Sequence, residues 1–155
     1  MANIVYTKFL EQQALGNINW TSAVIRVLLE RSTSTYTPNK DHDFLDSFTT
    51  GGGVEISVAS YSRLTIASPA VNIDDVNDRI EHDHNDLAFG NLESGQTADA
   101  LIYYVQVGGD DTTPANDILI CYVDTDSGGV LPAALGGGAF NVNINLEGLL
   151  QGAQA

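Results

Sequence analysis

The chain holds a single cysteine, a single methionine and a single tryptophan, and beyond Arg79 it has no lysine or arginine at all. One thiol, Cys121, excludes an internal disulfide framework and fits synthesis in a reducing cytoplasm. It falls within an apolar run, where a cysteine serves as a small buried residue rather than a reactive nucleophile. No stretch of about 18 apolar residues occurs, so no membrane-spanning helix is expected. The opening MANIVYTKFLEQQ lacks a basic segment followed by an apolar one and is not expected to act as a secretory signal. Asn19-Trp20-Thr21 is formally a glycosylation sequon, without consequence unless the chain is secreted. The phosphate loop GxxxxGK[ST], a GxGxxG between strand and helix, and the GxSxG elbow are all missing. With three histidines, a Ser/His/Asp triad has no evident seat. No enzymatic activity, catalytic residue or cofactor is expected.

The shortage of bases has its own consequences. Twenty acids against six bases give a net charge of −14. Through Arg79 there are six bases and nine acids (−3); from Ile80 onward there are eleven acids and no base (−11). Nucleic-acid binding rests on neutralising phosphates with Lys and Arg, so no nucleic acid is expected as a partner. An anionic membrane surface is disfavoured for the same reason. Two readings of the charge remain: solubility through self-repulsion, or a surface that faces water or a basic partner in an assembly.

What is present is β-type patterning. Ala98–Asp124 contains two apolar runs, ADALIYYVQV and ILICYVD, separated by the polar loop GGDDTTPAND. Leu101, Tyr103, Val105 and Val107 share one face of the first run, and Ala100, Ile102 and Tyr104 the other. In the second, Ile118, Ile120 and Tyr122 oppose Leu119, Cys121 and Val123. A half-exposed strand would alternate apolar with polar, so both faces should be covered, as in a central antiparallel pair. A second sheet, a helix or a second subunit could supply the cover.

The remaining elements follow in order. Val5, Phe9, Leu10 and Ala14 lie at near-helical spacing, which predicts a short helix from Thr7 to Leu15. Ser22–Glu30 reads as a strand, residues 44–48 as one helical turn, and Thr50–Gly53 as a flexible turn. Residues 54–68 read as a long strand with a bend or bulge at 59–62. Asn72–Asp86 is expected to be an acidic loop, and Asp86–Gly90 a short strand. Residues 125–129 read as a tight connection. In 139–146 Phe140, Val142, Ile144 and Leu146 face inward and the three asparagines outward. Glu147–Leu150 reads as a short turn and QGAQA as a mobile tail. The expected architecture is mainly β: one domain over residues 1–155, an antiparallel β-sandwich or partly closed barrel with a short N-terminal helix.

Several groups invite a chemical reading. His82 and His84 sit two apart beside Asp83 and Asp86, a spacing that lets a strand present both to one metal. No third ligand at fixed spacing accompanies them, so a metal site is not expected. Asp74, Asp75 and Asp78, like Asp124 and Asp126, lack the twelve-residue calcium loop and read as turn chemistry. Asp110 and Asp111 read as solvated loop carboxylates. Trp20 reads as core or as an interface anchor. Val5 and the Leu149-Leu150 pair, apolar and near the chain ends, are candidate arms for reaching a neighbour.

The chain resembles a widespread group of small virion proteins of tailed bacteriophages, encoded among the head and structural genes. The resemblance is carried by Met1-Ala2-Asn3 with Tyr6 and Leu10, then Leu15-Gly16-Asn17-Ile18-Asn19-Trp20 leading into Val24–Leu29. It continues through Tyr36-Thr37-Pro38-Asn39, His42-Asp43-Phe44-Leu45, and Gly53-Val54 ahead of Tyr61. Ala100-Leu101-Ile102-Tyr103, Asp117-Ile118-Leu119-Ile120, the Asp124–Gly128 turn and the glycines before the last alternating strand complete it. The Gly108–Asn116 loop departs from the group in its length. The resemblance implies a non-enzymatic head decoration (cement) protein on the outer face of the virion, made in the host cytoplasm. Its partners would be the major capsid protein and itself, as a homotrimer suited to the threefold sites of a capsid lattice. A head–tail connector or tail component, a host-surface adhesin, and a small metal-dependent enzyme using His82 and His84 are the other readings.

Overall fold

The two runs at 98–107 and 118–124 form the centre of the largest sheet, as their two-sided apolar character requires. The computed structural model describes residues 3–125, 130–145 and 148–153. Its elements are β1 (Ile4–Val5), α1 (Thr7–Ala14), β2 (Ile25–Arg31), α2 (Asp46–Thr50), β3 (Leu64–Thr65), β4 (Ala70–Asp74), β5 (Arg79–Asp83), β6 (Leu87–Asn91), β7 (Thr97–Val105), β8 (Ile118–Val123), β9 (Ala133–Ala134), β10 (Ala139–Val142) and β11 (Leu150–Ala153). The main sheet runs β1-β8-β7-β2-β3 with β9 added beside β7, and every pairing is antiparallel. A ribbon of β6 and β10 and a three-stranded sheet β11-β5-β4 make up the rest. The chain is mainly β and sandwich-like, and the main sheet is open rather than closed into a barrel.

Each face of β7 carries its own core. Leu101, Tyr103 and Val105 join Ile25, Val27 and Leu29 under Phe9, Trp20, Leu87, Phe89, Phe140 and Val142. On the other face Ala100, Ile102 and Tyr104 join Leu28, Leu119 and Tyr122 under Tyr6, Tyr36, Leu45 and Phe48. The chain therefore supplies both covers itself: the ribbon and α1 on one side, the 36–48 segment on the other. The two-sided burial that suggested a covering subunit is met within one chain.

Several local expectations are corrected. The faces of β8 do not follow strict alternation. Tyr103 pairs with Cys121 but Tyr104 with Leu119, so Ile120 is an extra residue on the bulged strand. A bulge puts two residues against one, and Ile120 and Cys121 both join the Tyr103 core. The long strand at 54–68 also breaks up. Its ends follow β2 through Arg31 N–H to Val54 O, Ile56 N–H to Leu29 O and Ile66 N–H to Ile25 O. Between them the chain leaves the sheet, and the Tyr61 hydroxyl accepts the Leu29 N–H at 2.9 Å in place of a strand carbonyl. The glycines at 51–53 serve close packing rather than flexibility: a Cβ on Gly53 would lie 2.3 Å from the Phe48 ring. The acidic 72–86 stretch is a β-hairpin, and the tail pairs through β11 with β5. The 125–129 connection and Leu146 lie largely or wholly outside the described residues.

Cys121 is 1% exposed, and burial pushes its thiol well above the ordinary range. A disulfide reagent should label it only as fast as the sheet opens, since the thiolate is the nucleophile. Rapid stoichiometric labelling of the folded chain would contradict its place in the core.

Candidate docking surface

The hairpin of β4 and β5 presents the largest concentration of uncovered apolar side chains. Eight large hydrophobic residues are exposed among those described, and four of them (Val71, Ile73, Val76 and Ile80) lie within ten positions here. Register explains their arrangement, because residues directly opposite across antiparallel strands share a face. Val71, His82 and Leu150 form one row across β4, β5 and β11. Ile73, Ile80 and Gly152 form the next. In the first row His82 and Leu150 pack inward while Val71 stays exposed: His82 stacks edge-on against Trp20 at 5.1 Å and against Phe9 at 6.4 Å. The second row lies beyond that support, and Ile73 is 75% exposed. Covering such a side chain fully gains about 1.5–3 kcal/mol.

Gly152 shapes this outer row. A Cβ built there would meet nothing within 4 Å. The missing side chain leaves a hollow of about 380 Å³ bordered by Ile73, Ile80, Gly152, Asp74, Asp75, Asp78 and Arg79. On the opposite face Arg79 is held by Asp74 at 3.0 Å, by Glu81 at 3.0 Å and by the Gln151 side chain at 3.1 Å. Its charge is therefore taken up by its own sheet, and Asp75 and Asp78 remain exposed at the turn. Asp74 closes that turn by accepting the N–H groups of Val76 and Asn77. Neither β4 nor its outer edge carries a further strand among the described residues.

The expected interface residues fall elsewhere, and three of them come together. Val5, Leu149 and Leu150 line one cleft of about 470 Å³, floored by Leu101, Tyr103, Cys121 and Val123 and walled by 142–145. All three are half-buried against their own core rather than extended as arms. Val5 pairs with Cys121, and Leu150 with His82. Trp20 is 2% exposed and donates its indole N–H to Asp83 O at 3.0 Å, which places it in the core and not on the surface.

The two histidines do not form a pincer. The His82 Nε2 takes the Gln13 amide at 2.6 Å, with its ring among Phe9 and Trp20. His84 Nδ1 donates to Asn85 O at 2.6 Å, because a carbonyl can only accept. That fixes Nε2 as the acceptor for the Tyr103 hydroxyl at 3.2 Å. Among the described residues no three His, Cys, Asp or Glu side chains gather for a metal.

Burial lowers both imidazoles below their ordinary value of 6.5. The unfolded chain then binds more protons in acid, so their contribution is present above 6.5 and lost as pH falls through the lowered folded values. Glu30 and Asp117, raised by burial, run the other way and lose stability as pH rises through their folded values. The urea midpoint should therefore drop between pH 7.5 and 5.5, and His82→Gln with His84→Asn should flatten the drop. A double variant whose midpoint follows pH over that range as the parent's does would contradict the assignment.

A polar network has no counterpart in the sequence motifs. Arg63 grips Glu55 two-pronged (Nε–Oε1 2.9 Å, Nη2–Oε2 2.7 Å) and donates to the Tyr104 hydroxyl at 3.1 Å. Tyr104 in turn donates to Asp111 Oδ1 at 2.7 Å, and Arg26 approaches Asp111 Oδ2 at 3.4 Å. It ties the long 108–116 loop and the 57–63 detour to the sheet. Within the network Arg63, Glu55 and Asp111 are paired, whereas Arg26 Nε is buried without a hydrogen-bond partner among the described residues. No protein-family model, curated protein or solved structure matches this chain.

Proposed function

We propose that the chain is a non-enzymatic virion protein that decorates the outer face of a phage head and stabilises its shell by binding the major capsid protein. The observation that carries this reading is the outer row of the β4–β5–β11 sheet, uncovered and apolar in an otherwise acidic chain. An apolar patch on a soluble surface marks a site of association. Charge sign favours the exterior, because a −14 protein lining the interior would face packaged phosphates with few bases to offset repulsion. A cement protein gains affinity by straddling neighbouring capsomers, since the second contact becomes intramolecular at an effective concentration of order millimolar. Assembly as a homotrimer on threefold sites remains part of this proposal.

An adhesin would call for aromatic clusters at loop tips, whereas every exposed large hydrophobic among the described residues is aliphatic. A connector or tail component would differ in location. Shells stripped of the protein should open at lower temperature, and adding it back should restore them. Equal melting with and without it, or labelling that finds it only in the tail, would sink the reading.

A further inference from the structure

We propose that the hollow over Gly152 is a docking site for a protein segment that carries an apolar anchor side chain flanked by lysine or arginine, laid across Ile73 and Ile80. The proposal rests on the decoration reading for the identity of the partner, the shell protein, and on the geometry for its chemistry.

Three features of the surface define the occupant. The first is shape. Ile73 and Ile80 form two adjacent positions of a row whose third, Gly152, has no side chain, and the space above it is open. A hollow of about 380 Å³ accepts one large aliphatic or aromatic side chain. The second is the face. Ile73 and Ile80, both exposed, form an apolar ledge that leads across β4 and β5 to the hollow, so a segment lying over them covers both side chains.

The third feature is charge. Asp74, Asp75 and Asp78 border the hollow, while Arg79, its one base, is engaged by Asp74, Glu81 and Gln151. The rim is therefore anionic and complements a basic segment. A second copy of this chain is disfavoured as occupant, because each copy carries a net charge of −14 and has no lysine or arginine beyond Arg79 to offer the acidic rim. Nucleic acid and anionic lipid are repelled by the same carboxylates.

The test uses the full chain and a fluorescein-labelled peptide of alternating lysine and isoleucine with one central tryptophan. A second peptide has glutamate in place of lysine. Gly152→Leu places a side chain in the hollow, since the backbone there is not left-handed and a Cβ meets nothing within 4 Å. Asp75→Asn with Asp78→Asn removes the rim charge, and asparagine tolerates the left-handed backbone of residue 78 (φ 51°). Thermal melts should match the parent in both variants. Anisotropy should show the lysine peptide bound by the parent, at least tenfold more weakly by Gly152→Leu, and with lost salt dependence by the double variant. Equal binding by the parent and Gly152→Leu, or preference for the glutamate peptide, would overturn the site. So would a parent dimer that Gly152→Leu abolishes, because the occupant would then be a second copy. On intact heads, retention of the parent and loss of Gly152→Leu support both readings. Equal retention of the two discards the docking site and keeps decoration. No retention of either, with peptide discrimination intact, discards decoration and keeps the site.

Discussion

Replacing Trp20 by alanine is expected to remove about 3–5 kcal/mol of stability, the usual cost of emptying a large aromatic site in a core. That is a large share of the roughly 5–15 kcal/mol that holds a domain folded. Two kinds of contact are lost together. The ring packs edge-on against Phe9 at 6.3 Å and His82 at 5.1 Å, so it joins α1 and the three-stranded sheet to the main core. The indole N–H to Asp83 O bond at 3.0 Å anchors the end of β5. Trp20→Phe keeps most of the apolar contact and gives up the hydrogen bond, and should cost about 1–2 kcal/mol. Amide exchange should separate the two effects. In Trp20→Phe the amides of β4 and β5 should exchange faster, while those of β7 stay as protected as in the parent. Uniform acceleration across both sheets would show that Trp20 supports the fold as a whole and does not specifically hold the hairpin.

The second large effect belongs to Arg63. Arg63→Met removes a guanidinium that holds Glu55 in two places and the Tyr104 hydroxyl in a third. Both charged partners are about four-fifths removed from water, with side-chain exposures of 19% and 23%. Breaking a fully buried pair by deleting one partner costs about 3–5 kcal/mol, and partial solvation here reduces the expected loss to about 2–3 kcal/mol. Much of that loss is the penalty of leaving Glu55 uncompensated. Adding Glu55→Gln to Arg63→Met should therefore recover part of the stability, a non-additivity that denaturant unfolding of the four-member cycle measures. Strict additivity would mean that the two side chains do not act as a pair.

The parts of the fold that local pattern controls were legible from residues alone. The helix at 7–14 was legible from its spacing and from Gly16, whose left-handed φ of 75° ends it, but of the expected apolar stripe only Phe9 is buried: Leu10 and Ala14 are exposed and Val5 belongs to β1. The β7 faces follow from two-residue periodicity, and Leu101, Tyr103 and Val105 separate from Ala100, Ile102 and Tyr104 as that period demands. Phe140 and Val142 point inward for the same reason. The 72–86 stretch reads as a loop because its acids, at 74, 75, 78, 81, 83 and 86, follow no strand period and its few apolar residues have little cover: Ile73 and Ile80 share a face left exposed among the described residues. Residues 151–153 have no pattern of their own and become part of a strand where β5 offers an edge; the last two positions of the expected mobile tail lie outside the described residues.

By itself the sequence determined the chemistry of the surface and the class of the fold. Net charge, the absence of bases after Arg79 and the apolar runs are sums over residues, and no folding is needed to read them. Tertiary structure decided which of these residues meet. The bulge at Ile120 turns two neighbours to one face because Tyr103 and Tyr104 keep pairing on either side of it. Arg63 reaches Glu55 and Asp111 only because the 57–63 detour and the 108–116 loop converge on one end of the sheet. Gly152 becomes a hollow only because β11 sets it beside Ile80, which lies opposite Ile73. Such contacts join positions far apart in the chain, and their energy depends on register and close packing, which no window of sequence contains.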